Sequence, residues 1–120
     1  MNAKRRILVV DDDASIRTMV RTVLERAGYE VATARNGCEA IALLVASDYD
    51  VVLLDVMMPK LDGIAVVDQL RKENNPVLAH TYLLTAGNSS AVKDLPVRGL
   101  IEKPFDLRAL LAETKDCIGH

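Results

Sequence analysis

Short β-branched runs alternate along this chain with segments of helical spacing. The runs are Arg6–Val10, Glu30–Ala34, Val51–Leu54, Thr81–Leu84 and Gly99–Ile101. Between the first two, Ile16, Met19, Val20, Val23, Leu24 and Ala27 recur at i, i+3, i+4, i+7, i+8 and i+11, which predicts a helix stopped by Gly28. Arg17, Arg21, Glu25 and Arg26 fall on its solvent face. Ile41, Leu44 and Val45 predict a second helix after "RNG". Ile64, Val67 and Leu70 predict a third after "PKLDG", and Leu107, Leu110, Leu111 and Ile118 a last one. Ala91, Val92 and Leu95 suit only one or two helical turns before Pro96 interrupts.

Strands alternating with helices predict a parallel sheet covered on both faces by right-handed crossovers. "ILVV" and "VVLL" are apolar without alternation, as central strands buried on both faces should be. No Gly-x-Gly-x-x-Gly follows the first run, so the dinucleotide-binding order is disfavoured. The expectation is an α/β, doubly wound, five-stranded sheet of order 2-1-3-4-5. At 120 residues the chain reads as one domain over 1–120.

Composition narrows the function classes. A net charge of −2 leaves no basic footprint for nucleic acid. The apolar stretch after Lys4, Arg5 and Arg6 is too short for a signal peptide, and no run could cross a membrane. Cys38 and Cys117 stand in no ligand-like spacing, so they are expected to be free, partly buried thiols of a cytoplasmic protein. His80 and His120 read as surface residues, and Met57 and Met58 as packing and loop residues.

The chemistry lies where the strands end. Sites of open α/β sheets gather at the carboxyl ends, near the reversal of strand order. There the first strand ends in Asp11-Asp12-Asp13, the third in Asp55, the fourth in Thr85 and the fifth in Lys103. Two carboxylates about 4 Å apart repel by roughly 4 kcal/mol at an effective dielectric of 20, so a proton or a cation must sit among them. The candidate ligands are all oxygens, which favours Mg²⁺ over Ca²⁺. Carboxylate-held Mg²⁺ beside a lysine and a threonine suits phosphoryl transfer. Asp55, alone on the central strand, is the best candidate for a nucleophile forming an acyl phosphate. Asp13 is better read as a helix cap, and Asp62 and Gly63 as turn and helix-start residues.

"ILVVDDD", "DVVLLDVMMPKLDG", "LLTAG" and "IEKPF" resemble, in order and spacing, the motifs of CheY-like receiver domains of two-component response regulators. The resemblance spans essentially the whole chain and implies a flavodoxin-like fold. It implies Asp55 as phospho-acceptor and Asp11 and Asp12 as the Mg²⁺-holding pair, with Asp55 and the main-chain carbonyl of Met57 completing the set. Thr85 and Lys103 would contact the phosphoryl group, and the Lys103–Pro104 bond would be cis. The donor would be a sensor histidine kinase or a histidine phosphotransfer protein, and the reader a downstream protein target. The chain would catalyse only its own phosphorylation and slow dephosphorylation.

Two departures stand out. Leu100 occupies a position where many receivers carry an aromatic, so an aromatic rotamer switch is not expected there. The segment from Thr85 to Lys103 is shorter than in the family, which predicts a short fourth helix and less signalling through that face. Amide shifts on activation confined to residues 88–111 would refute this. Two competing readings are a phosphate-independent docking module and an aspartate-based phosphohydrolase. The latter wants a second acid two residues after the nucleophile, where Met57 stands.

Overall fold

The computed structural model describes residues 4–58, 60–86 and 92–119. Five strands, β1 (Arg6–Val10), β2 (Glu30–Ala34), β3 (Val51–Asp55), β4 (Thr81–Thr85) and β5 (Gly99–Glu102), form one sheet. All pair in parallel in the order β2-β1-β3-β4-β5. The helices are α1 (Ala14–Arg26), α2 (Gly37–Ala46), α3 (Gly63–Lys72) and α4 (Leu107–Ile118). No helix among the described residues is long and apolar enough to cross a membrane.

The absence of alternation in the central strands has a direct structural cause. Leu8, Val10, Val52, Leu54 and Leu83 point into a core shared with α2 and α3. Ile7, Val9, Val51, Leu53, Tyr82 and Leu84 point the other way, towards α1 and α4. Successive strand residues alternate sides, and here both sides are covered, so each position must be apolar.

Helix ends follow their local chemistry. Asp13 caps α1, its side chain accepting from the Ser15 and Ile16 amides, and Asp62 caps α3 by accepting from Ala65 N. Gly28 adopts φ 99°, and Tyr29 N donates to Leu24 O, closing α1 in a Schellman-type turn. These agree with the sequence reading.

Three large apolar residues assigned to buried faces are instead exposed, Met19 at 48%, Val45 at 75% and Ile64 at 38%, as is the small Ala27 at the end of α1. Each of the three large ones neighbours a buried residue, Val20, Leu44 or Gly63. One residue turns a helix by about 100°, and the stripe each helix buries is too narrow to hold both. A 3₁₀ turn over Pro76–His80, begun by Asn75, was not foreseen. Of the short fourth helix expected around Ala91–Leu95, the described part from Val92 forms turns and bends, and Ala91 lies outside the described residues.

Candidate functional site

Strand order brings the carboxyl ends of β1 and β3 side by side, with Val10 paired to Leu54. Asp11 and Asp55 follow from that register, and both are buried. Asp11 Oδ1 accepts from the Asp13 amide at 2.9 Å. Asp55 Oδ1 accepts from the Met57 amide at 3.2 Å. Lys103, following β5, places Nζ between the two acids, 2.7 Å from Asp11 Oδ2 and 3.3 Å from Asp55 Oδ2. The expected cis bond between Lys103 and Pro104 is present.

Asp12 is exposed at the rim. One carboxylate oxygen each from Asp11, Asp12 and Asp55 lies within 4.8 Å of the others. At that separation each like-charged pair repels by about 3 kcal/mol at an effective dielectric of 20. One ammonium does not neutralise three carboxylates. Burial, and then the Asp11 charge, push the Asp55 carboxyl up to about 6, against the pull of Lys103. Burial alone would lower the Lys103 pKa, yet its bonds to Asp11 and Asp55 hold it above its ordinary value.

Thr85 completes the group from the end of β4. Its hydroxyl is buried and has no hydrogen-bond partner among the described residues, while its carbonyl accepts from the Lys103 amide at 2.6 Å. An unpaired buried hydroxyl costs about 1–3 kcal/mol, and such groups mark places where a partner arrives from outside. The start of α3 packs tightly beneath the site. A Cβ on Gly63 would lie 2.5 Å from the Asp55 carbonyl oxygen, so glycine permits the close approach.

The structure therefore brings together Asp11, Asp12, Asp55, Thr85 and Lys103, with Met57 adjacent through its amide. Asp13 and Asp62 are turned to capping. Leu100 is half-buried on the α2/α3 side of the sheet. Tyr82 sits on the opposite side, donating from its hydroxyl to Glu113 O and accepting from Arg98 Nε. Cys38 and Cys117 are free, but Cys38 is exposed rather than partly buried, because it points outward from the first turn of α2. His80 is exposed, as expected, and His120 lies outside the described residues.

Sequence reasoning passed over Arg17, assigned to the solvent face of α1. The side chain is half-buried, and Nη1 donates to the Asp11 carbonyl at 2.8 Å. Its detectable signal was a cation near the positive end of a helix.

A family model described as the response regulator receiver domain matches residues 7–115. "Probable transcriptional regulator ycf27" of Cyanophora paradoxa is 40% identical over 116 residues, covering 96% of this chain and 48% of that protein. The receiver domain of Francisella response regulator 1452 superposes with a TM-score of 0.88 at 31% identity, covering 96% of this chain and 97% of that one. Response regulator TrrA of Thermotoga maritima, solved in complex with Mg(2+)-BeF, gives a TM-score of 0.83 at 35% identity, covering 94% and 98%. This chain spans about half the length of the curated relatives it matches.

Proposed function

This chain belongs to the response regulator receiver domain family of two-component systems, and on that premise we propose that Asp55 accepts a phosphoryl group from a partner's phosphohistidine. One observation carries the reading. Lys103 Nζ reaches Asp11 and Asp55 together, and the nearby Thr85 hydroxyl has no partner of its own.

Asp11, Asp12 and Asp55 fit a hard divalent ion, since the donors are all oxygens, lie within 4.8 Å of each other and carry more charge than Lys103 cancels. The Met57 carbonyl would be a further ligand. Mg²⁺ bound there would supply neutralisation of phosphoryl oxygens. The TrrA relative, solved with Mg(2+)-BeF, supports this choice.

The chain's own groups account for the rest. An Asp55 oxygen forms a bond to phosphorus as the phosphorus–nitrogen bond of the donor imidazole breaks, and the imidazole leaves with the bonding pair and takes up a proton. Lys103 exchanges its contact with Asp55 for a phosphoryl oxygen. The Thr85 hydroxyl donates to another, gaining the partner it lacks. A conformation that satisfies Thr85 is thereby favoured, and a protein partner reads the shifted equilibrium. Water attacking the same phosphorus would end the signal slowly. The donor would be a histidine kinase or phosphotransfer protein.

Intact mass after incubation with a small acyl-phosphate donor tests the proposal. The expected result is one phosphoryl adduct that requires Mg²⁺ and vanishes in Asp55→Ala. A folded sample that takes up no phosphoryl group would leave a phosphate-independent docking module instead.

A further inference from the structure

Arg17 stands four residues into α1, whose N-cap is Asp13 and whose first turn contains no acid. A cation this close to a helix N-terminus opposes the macrodipole. Arginines 6, 21, 35, 71 and 98 all end on carboxylates. Arg17 has three aspartates within six residues, yet its hydrogen bond goes to a neutral group, the Asp11 carbonyl at 2.8 Å.

That oxygen belongs to the peptide linking Asp11 to Asp12. The peptide is planar, so holding its oxygen also fixes the direction in which the Asp12 backbone leaves. Around it, the Asp13 amide is bonded to Asp11 Oδ1, and the Asp13 side chain is committed to the cap. Asp12 is the exposed member of the acidic group, and its side chain has no hydrogen bond to orient it among the described residues. Its direction is set by the backbone on either side.

We infer that Arg17 is a positioning residue for the metal site: by clamping the Asp11–Asp12 peptide, it aims the Asp12 carboxylate at the point shared with Asp11 and Asp55. The inference deepens the metal-dependent reading proposed above and rests on it.

Charge and positioning predict opposite signs, which makes the test sharp. If Arg17 acts only as a nearby cation, removing it tightens Mg²⁺ binding. If it positions Asp12, removing it weakens binding by about tenfold, the lower end for groups that orient metal ligands. Mg²⁺ is titrated calorimetrically into wild type, Arg17→Ala, Arg17→Lys and Arg21→Ala. Far-UV circular dichroism checks folding, and the Asp12 amide resonance is followed without metal.

Arg21→Ala removes the same charge one turn further on and should bind as wild type does. Arg17→Lys keeps the charge but loses the planar fork and should bind roughly two- to fivefold more weakly than wild type. A folded Arg17→Ala that binds Mg²⁺ as tightly as wild type, or tighter, overturns the inference while leaving the proposed function standing. If Arg17→Ala does not fold, Arg17→Lys decides: affinity equal to or above wild type overturns it. Wild type that fails to bind Mg²⁺ sinks both this inference and the reading it rests on.

Discussion

Replacing Asp55 with asparagine should stabilise the metal-free protein, although it removes the central residue of the proposed chemistry. The side chain is only 5% exposed, so solvent screens it little. Its carboxyl is pushed from 3.8 up to about 6. Between those values the folded protein keeps a proton that the unfolded chain has released, so stability falls as pH rises through this window. Above it the loss is complete, at about 3 kcal/mol. Asparagine keeps an oxygen to accept from the Met57 amide and leaves Lys103 with Asp11. The expected gain for Asp55→Asn is therefore about 1–3 kcal/mol at pH 7.5, shrinking towards zero below pH 4. Urea unfolding without divalent cations measures it, followed by far-UV circular dichroism because the chain lacks tryptophan. A variant no more stable than wild type at pH 7.5, or a gap that does not change with pH, would refute the electrostatic account of the site. Added Mg²⁺ should stabilise wild type more than the variant.

Other substitutions probe the remaining groups. Lys103→Met leaves Asp11 and Asp55 without their shared ammonium and should cost about 2 kcal/mol or more at pH 7.5 without metal, read by the same urea assay. Thr85→Val removes a hydroxyl that has no partner, so the unphosphorylated protein should be unchanged or more stable by up to about 3 kcal/mol; a clear loss would mean the hydroxyl is already satisfied. Gly63→Ala drives a methyl towards the Asp55 carbonyl and should lower stability by about 1–3 kcal/mol, with amide shifts centred on Asp55 and Val56. A neutral Gly63→Ala would show that α3 can back away freely.

The sheet and the acids were legible in the amino-acid order for a simple reason. Two covered faces force uninterrupted apolar runs, and an aspartate, threonine or lysine directly beyond such a run marks a strand's end. Asp13 and Asp62 were legible because capping is local chemistry. Local pattern was blind to how much of each helix the sheet covers, so Met19, Val45 and Ile64 were misassigned to the core. Asn75-Pro76 was a readable start for the 3₁₀ turn, overlooked because the segment is too short for periodicity. Arg17 was missed because its partner is a backbone carbonyl, and that contact exists only once the chain turns from β1 into α1.

The order β2-β1-β3-β4-β5 leaves the sheet with two open borders, each carrying backbone donors and acceptors without a neighbouring strand. Such borders invite a passing chain to add itself. Here β2 is five residues long and opens with Glu30, while β5 has four residues between Arg98 and the Lys103–Pro104 pair. Brevity and flanking charge make both poor templates, and proline removes the donor that would continue the second. Copies of this domain can therefore crowd together without a ready route to zipping into a shared sheet.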